Sequence, residues 1–434
     1  MSVPNTTVEI AFDLSALGGP YFTLDDSIKG LLDNSLYPLA GELFEDVTDK
    51  VKSVSIQRGK SRELDRFNAG QASVVFDNRQ RTFDPFYADS PYVNQIVPKK
   101  KVRIKSADED VFIGTIDDWN LNYDVSGQSE ASINCADGFV FLSSSFMTAH
   151  TATSELSGAR VNAVLDRPEV DWPAGERDID LGQSTLQADV VDENTNVLNY
   201  LQRVEASEVG SLFMTKSNLV AFKDSINIPD TVGVLQFRDD GTGIGYQGIE
   251  VVYGTEQLFN RVIATNLNGT PQVANNFNSQ SLYGISALVA DDLLLTNDAE
   301  ALNLADYLLG IYDQPELRIN SITVQLADLS SVTQESILSL DLNDVIQVVF
   351  TPNNLGSAID RYGQIVGIEH DILIDSHIIK LFLRSVQDLP LILDDPVYGR
   401  LGGSLPLYDD VSTLYDSPEV LYDGQEDYGY VLGF

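Results

Sequence analysis

Hydrophobic and polar residues alternate along much of the chain, which is the pattern of strands with one buried face. Ala72, Val74 and Phe76 fall on one side of a predicted strand, and Val54 and Ile56 do the same upstream. The alternation continues to about residue 143. The first part of the chain is therefore predicted to form an antiparallel β-barrel or β-sandwich.

The pattern changes near residue 150, where apolar residues recur at helical spacing. A short helix is predicted within residues 155–167 (ELSGARVNAVLDR) and a stronger one within residues 194–210, which Gly210 should close. The segments SLFMT and LVAFK then flank KSN and predict a hairpin. We interpret this part as a small α/β module.

Strands return after residue 245, and one further helix interrupts them. Asn297 and Glu300 have the spacing of a helix capping box, and Leu302, Ala305 and Leu309 are predicted on the inner stripe of the helix. Alternating segments such as HIIKLFLR follow the helix. This part therefore predicts a second β domain with one helix.

The predicted fold class is mainly β with a small α/β insert, in a multi-domain, hub-like arrangement of β-barrel or β-sandwich domains. At 434 residues the chain is long enough for about three cores. The predicted parts are a β-barrel-like domain, the α/β domain, the second β domain and an extended tail, at residues 1–150, 151–245, 246–395 and 396–434.

The last residues contain a repeat with a period of seven. LYDD, LYDS and LYDG begin at residues 407, 414 and 421. Pro418 and repeated glycines argue against a heptad coiled coil. We favour an extended tail that docks on a neighbouring chain, and a terminus with accidental spacing is the alternative. The predicted anchors are Tyr408, Tyr415 and Tyr422.

Charge is the strongest signal of composition. The chain has 27 basic and 65 acidic residues, a net charge of −38, which argues against binding nucleic acid through phosphate contacts. The basic residues are unevenly placed, because residues 50–105 hold 13 of them beside five acids. Solubility or a salty habitat is the alternative explanation of the acidic excess.

The sequence carries no recognisable catalytic, cofactor-binding or metal-binding motif. Cys135 is the only cysteine, and the scattered His150, His370 and His377 lack the helical spacing of a zinc pair. The string GIGYQG at residues 243–248 matches a dinucleotide fingerprint but leads into a strand, so it is rejected. We expect a protein that is not an enzyme, without cofactor or metal.

Two features bear on location. The first residues, MSVPNTTVE, lack the basic and apolar regions of a secretory signal, and no apolar run approaches the ~20 residues that span a bilayer. These features and the single cysteine predict a soluble protein made in a reducing cytoplasm.

Residues 62–85, RELDRFNAGQASVVFDNRQRTFDP, combine crowded charges with a clean strand. With FEDVTDKVKSVSIQRG before them and GYQGIEVVYGTEQLFNRV and LILDDP after them, they resemble the minor tail proteins of long-tailed, siphovirus-like bacteriophages, in particular the baseplate hub proteins of the tail tip. The resemblance extends over most of the chain, and the charged motif is its most specific part.

This resemblance implies a structural protein of the virion tail tip, made in the cytoplasm of the host bacterium. It implies a homotrimeric hub ring below the tail tube, in contact with the distal tail protein, the tape measure protein and tail fibre or tip proteins, with DNA passing through unbound. Two alternatives stay open. One is the hexameric distal tail protein, and the other is a carbohydrate-binding module for the host surface, for which Trp119 and Trp172 lie far apart in the sequence.

The charged motif is predicted to lie at a domain or subunit interface, because arginine and carboxylate side chains make directional, bidentate contacts. Solvated loop charges worth ~0–1 kcal/mol a pair are the alternative. The candidate residues are Arg58, Arg62, Asp65, Arg66, Asp77, Arg81 and Asp84.

Overall fold

Alternating strands build the first part of the fold, as the sequence predicts. The computed structural model describes residues 2–12, 44–224 and 234–386, and the backbone of two short strands, Leu391–Ile392 and Leu432–Gly433, which pair in parallel. The first strands are β1 (Thr6–Ile10), β2 (Glu45–Asp46), β3 (Val51–Gly59), β4 (Asn68–Asp77), β5 (Lys101–Ser106), β6 (Glu109–Asn122) and β7 (Glu130–Ala136). Val54, Ile56, Ala72, Val74 and Phe76 are all buried, which confirms the predicted inner face.

The middle part combines helices with short strands. Its helices are α1 (Phe139–Ser144), α2 (Ser157–Leu165) and α3 (Val197–Glu208). Its strands are β8 (Phe146–Met147), β9 (His150–Ala152), β10 (Glu155–Leu156), β11 (Arg177–Ile179), β12 (Thr185–Leu186), β13 (Asp189–Val191), β14 (Thr195–Asn196), β15 (Ser211–Met214) and β16 (Val220–Lys223). The predicted hairpin is confirmed as β15 and β16, to which β11 adds in parallel.

The end of α3 differs from its prediction. Asn196 caps the start of the helix, since its side chain accepts the Asn199 N–H, and Val209, with φ 56°, caps the end in place of the predicted Gly210. Glycine is required at residue 210 by packing, because a Cβ there would lie 2.4 Å from the carbonyl oxygen of Lys223. The left-handed position at the end of α3, which glycine normally takes, is thus occupied by the β-branched Val209.

The last described part returns to strands. They are β17 (Gln236–Arg238), β18 (Gly248–Tyr253), β19 (Arg261–Asn266), β20 (Gln272–Asn275), β21 (Ala287–Leu293), β22 (Leu317–Gln325), β23 (Val345–Phe350), β24 (Ile359–Leu373) and β25 (Ser376–Ser385). The helices are α4 (Phe277–Tyr283), α5 (Asp298–Tyr312) and α6 (Ser331–Ser339). Short 3-10 turns lie at Thr48–Lys50, Ala174–Glu176, Leu326–Asp328 and Pro352–Asn354.

One large sheet connects the beginning and end of the described chain. Its main path runs β18-β22-β25-β24-β3-β4-β7-β6-β5-β1-β2; off this path, β23 pairs with β24 and β17 pairs with β23. The antiparallel pairing of β3 with β24 matches Ile56 to His370. Strands from both predicted β regions thus form one continuous sheet, and the boundaries assigned to the four parts of the chain stay a prediction. The mainly-β class with a smaller α/β part is confirmed.

A small layer of three strands and the two helices α4 and α5 is inserted between β18 and β22. The order of its sheet is β20-β19-β21, and α5 packs on one face. The Asn297 side chain caps α5 by accepting the Glu300 N–H, as predicted. Of the predicted inner stripe, Ala305 is buried and Leu309 packs against the same core, whereas Leu302 is 37% exposed because Ala301 takes the position against the sheet.

Candidate functional site

The hairpin of β3 and β4 divides the charged motif into two groups. Arg58, Arg62, Asp65 and Arg66 lie at the end where β3 passes into β4, and the other three candidates follow the far end of β4. Ten residues of β4 separate the groups by about 33 Å. The fold therefore does not bring the seven predicted residues into one site.

Arg58 lies at a buried joint between three parts of the chain. Its Nη2 donates to the carbonyl oxygen of Met214, 3.1 Å away, and to Oδ1 of Asp341, 2.5 Å away. Asp341 also accepts the backbone N–H groups of Lys216 and Leu342. The side chain of Arg58 is only 3% exposed, so the paired charges are well desolvated. Such a pair contributes defined geometry more than net stability.

Lys216 makes a second link at the same joint. From the turn between β15 and β16, its Nζ donates to Glu109 Oε2 at 3.2 Å and to the carbonyl oxygens of Leu338 and Ser339. Those carbonyls end α6, where a cation is favoured by the unsatisfied C=O groups and the helix dipole. The β15–β16 hairpin is thereby fastened to β6 and to α6.

The loop from β3 to β4 holds a second buried network. Oε2 of Glu63 accepts from Arg318 Nη1 at 2.9 Å, and Oε1 accepts from the Tyr312 hydroxyl at 3.0 Å. Lys60 Nζ donates to the Glu63 carbonyl oxygen. Burial, with the nearby Arg384 charge, lowers the pKa of Lys60 to about 8. Buried contacts of Glu63 therefore fix the loop, whereas its exposed side chains stay accessible to solvent.

An open, polar groove of about 550 Å³ lies beside this loop. Its floor is formed by β18, β22 and β25. Its walls are the β3–β4 loop and the two connecting segments of the inserted layer, which follow β18 and precede β22. Five carboxylates line it, against the guanidinium groups of Arg62 and Arg318. The carboxylates are Glu63, Asp65, Glu250, Glu256 and Glu316.

The remaining candidates of this group are exposed and weakly held. Arg62 Nη1 lies 3.3 Å from Glu256 Oε1, and both side chains are mostly exposed. Arg66 Nη1 donates to Gln202 Oε1 at 3.4 Å. Asp65 is exposed as well. Exposed pairs of this kind contribute little to folding, so these side chains are available for contacts with another molecule.

The second group forms a turn after β4. Arg81 Nε donates to Asp84 Oδ2 at 2.7 Å, and Asp84, which is fully buried, also accepts the Phe86 N–H. Asp77 accepts a fork of hydrogen bonds from Arg79, which, with a backbone bond from the same residue, lowers the pKa of Asp77 to about 2. These bonds hold the turn from within, and a further hydrogen bond from the Tyr123 hydroxyl to Asp84 ties it to the residues after β6.

Two of the histidines are brought together, which the sequence analysis missed. Nδ1 of His370 on β24 lies 3.1 Å from Nε2 of His377 on β25, and the Ser106 hydroxyl lies 3.3 Å from Nδ1 of His377. Burial lowers the pKa of His377 to about 4 and, with the neighbouring His377, lowers that of His370 strongly. The interpretation of the three histidines as scattered is thus wrong for this pair. The only sequence signal was their placement on two strands joined by a tight turn.

Within residues 2–12, 44–224 and 234–386, no cluster of three or more histidine, cysteine or carboxylate side chains could hold a metal ion. Cys135 is buried on β7. Trp119 packs in an aromatic cluster with Phe12, Phe76 and Phe83, and Trp172 is buried. Over the same residues, no helix is long and apolar enough to cross a bilayer.

Residues 50–105, which are rich in lysine and arginine, form several ion pairs with acidic residues of the same chain. Lys52 pairs with Glu130 at 2.8 Å, and Lys99 pairs with Asp117. Arg103 on β5 pairs with a carboxylate of β1, Glu9 Oε2, at 2.6 Å. Local patterns could not predict these pairs, because the partners in each lie 18 to 94 residues apart along the chain. The anchors predicted at Tyr408, Tyr415 and Tyr422 lie outside the described residues.

Comparison with solved structures finds the same fold in a prophage tail protein and in a second tail protein. The 43 kDa tail protein of prophage MuSo2 from Shewanella oneidensis has a TM-score of 0.53 and 12% identity, over 88% of this chain and 97% of that chain. A tail protein from Neisseria meningitidis also has a TM-score of 0.53 and 12% identity, over 80% of this chain and 94% of that chain. No protein-family model and no curated protein matches the chain. The resemblance inferred from the sequence is confirmed at the level of the fold.

Proposed function

We propose that the chain is a structural protein of a bacteriophage tail tip, in which it forms the hub ring below the tail tube. The observation that carries this proposal is the likeness of fold to the MuSo2 tail protein, because it spans nearly the whole of both chains. The charged motif, which prompted the resemblance, supports it independently. In this role the ring connects the tube, the tape measure protein and the tail fibres. Catalysis is not part of the proposal.

The proposed assembly is a closed three-fold ring. Closed symmetry satisfies every contact surface and avoids open filaments. Exposed Arg62 and Arg66 at one end of the β3–β4 hairpin, and Arg81 at the other, are available to contact neighbouring subunits. Arg58 has a different role in the proposal, since it fixes the positions of three parts of one chain. Tyr408, Tyr415 and Tyr422 are proposed to dock the C-terminal tail on tip or fibre proteins.

DNA is proposed to pass through the ring without specific binding. A net charge of −38 per chain repels the phosphate backbone, with screening over ~8 Å at physiological salt. The ion pairs of Lys52, Lys99 and Arg103 support this view, because cations engaged by carboxylates in the same chain are less available to phosphates.

Two measurements test the proposal. Native mass spectrometry of the purified chain should show three copies. Six copies would favour the distal tail protein, and a monomer at every concentration would contradict a ring. Antibody labelling of virions in electron micrographs should mark the tail tip, whereas label on the head or along the tube would exclude the tip. The first test concerns assembly and the second concerns location, so either can fail separately.

A further inference from the structure

The three-stranded sheet of the inserted layer is covered by a helix on one face only. α5 packs on the face that carries the buried Val262 and Ala264. Side chains alternate along a strand, so the residues between these two point to the opposite face. There the register aligns Val273, Ile263 and Val289 in one row across β20, β19 and β21. Val273 is 38% and Val289 54% exposed, so the described residues leave much of this row open to solvent.

Helix α4 extends the apolar surface at one end of the same sheet. Both of its ends are tied to Asn260, the residue before β19, whose carbonyl oxygen accepts the Asn276 N–H and whose side chain donates to the Gly284 carbonyl at 2.7 Å. Three large apolar side chains in this helix and just after it are 69–73% exposed. They are Phe277, Leu282 and Ile285. We call the row and these three side chains the outer face of the inserted layer.

The outer face has the area that one side of a protein contact needs. At the exposures given above, it leaves roughly 500 Å² of mostly apolar surface open, in the range of the largest patches on monomeric proteins, which are often functional. A stable contact buries about 800 Å² on each partner, of which about 60% is apolar. The exposed apolar surface of the outer face therefore matches the apolar share of such a contact.

A cation without a counter-ion lies beside the apolar row. Arg261 aligns with Asn275 and Ala287 across the sheet, on the same face as Ile263. Within the described residues its guanidinium forms no ion pair, and its Nε is buried without a hydrogen-bond partner. Burying an unpaired charge is costly, so a molecule that covers this face must bring an acceptor, and a carboxylate is the strongest one.

A second copy of this chain has the complementary charge. With 65 acidic residues against 27 basic ones, its surface is rich in carboxylates that could meet Arg261. A nucleic acid or an anionic membrane is disfavoured on this face, because Asp291 and Asp292 of β21 are exposed beside it and repel negative charge. The area and the charge of the outer face therefore both fit a contact with another copy.

We propose that the outer face is a contact between copies of this chain, on which the neighbouring subunit packs and supplies a carboxylate to Arg261. The inference rests on the proposed ring and names a surface that closes it. In a three-fold ring each subunit presents different surfaces to its two neighbours, so the outer face meets a different part of the next copy. Another tail protein and the C-terminal tail of the same chain are the competing occupants, which the experiment separates.

The experiment follows dissociation of the full-length chain by native mass spectrometry over a dilution series. Val289→Glu with Ile285→Glu places two charges on the outer face at mostly exposed positions, so the fold should persist, which circular dichroism checks. This variant should raise the concentration at which the ring dissociates at least about tenfold, and Arg261→Gln should act in the same direction. The matched control, Val190→Glu with Ile374→Glu, adds the same charges at exposed apolar residues outside the inserted layer and should leave dissociation unchanged.

Photocross-linking identifies the occupant directly. Replacing Val289 by p-benzoylphenylalanine keeps the face apolar, and in rings mixed from isotopically light and heavy chains the links should join residue 289 of one copy to another copy. A wild-type trimer whose dissociation is unchanged by the two glutamates, or whose links stay within one chain, would overturn the inference and leave the ring intact. Links in virions to another tail protein, with none between copies, would also overturn it. A wild-type chain that is monomeric at every concentration would overturn the ring and the inference together.

Discussion

Nη2 of Arg58 lies 2.5 Å from Oδ1 of Asp341, although 283 residues separate the two along the chain. The same nitrogen donates to the Met214 carbonyl, so one buried side chain connects β3, the β15–β16 hairpin and the loop before β23. The joint makes the relative placement of these parts depend on a few atoms. This placement matters for any assembly that requires a fixed subunit shape.

Replacing Arg58 by Met should destabilise the protein by about 3–5 kcal/mol, because Asp341 would keep a partly buried charge without its cation. Arg79→Met removes a guanidinium from an exposed pair with Asp77 and should leave the free energy of unfolding almost unchanged. Urea denaturation at pH 7 measures both free energies of unfolding. Similar losses for the two variants would show that the joint contributes nothing particular.

Glu205→Gln should change the dependence of stability on pH. Burial raises the pKa of Glu205 to about 7, so the folded chain holds a proton that the unfolded chain releases at its ordinary value of 4.5. This contribution to stability is present below pH 4.5 and is lost as the pH rises through about 7. The glutamine cannot titrate, so its stability relative to wild type should increase between pH 5 and pH 7.5. A difference that stays constant between these two pH values would contradict the shift.

The buried histidine pair should act in the opposite direction. The folded pKa of His377 is about 4, below the 6.5 of an unperturbed histidine. As the pH falls, this histidine is therefore protonated in the unfolded chain before it is protonated in the folded chain. The stability that neutral His377 contributes is therefore present above pH 6.5 and is lost as the pH falls towards 4. His377→Asn should reduce this acid-dependent loss. Urea midpoints of both proteins at pH 7 and pH 4.5 provide the comparison, and equal losses on acidification would refute the assignment.

Val209→Gly should stabilise the protein by about 1 kcal/mol. The left-handed conformation at the end of α3 strains a β-branched side chain, and glycine adopts it freely. Thermal unfolding measures the change, with Val209→Ala as the control, since alanine loses similar packing but keeps a Cβ. A glycine variant no more stable than the alanine variant would show that strain at this position is negligible.

Local patterns were predictable from the sequence, and contacts between distant residues were not. The buried face of β4 and the Asn297 cap follow from periodicity and from hydrogen bonds between neighbours in the chain. On α5 the predicted Ala305 is buried but the predicted Leu302 is exposed, because the choice between Ala301 and Leu302 depends on the surface against which the helix packs.

In the candidate site, too, contacts between residues close in the sequence were predictable and contacts between distant residues were not. The Arg81–Asp84 pair spans one turn, so its proximity could be inferred from spacing. The partners of Arg58 and Glu63 come from strands and loops far away in the sequence. No periodicity encodes such partners, and only the completed sheet brings them together.

The pairing of β3 with β24 also has a consequence for biosynthesis. A ribosome that adds about 5–20 residues per second needs roughly 15–60 s to proceed from β3 to β24. During that interval one side of β3 has no native partner, and nascent chains translated in succession from one message carry the same unpaired edge close together. Slow synthesis therefore prolongs the period in which these chains can pair with each other, and we expect the yield of correctly folded protein to depend on how well that edge is shielded until β24 emerges.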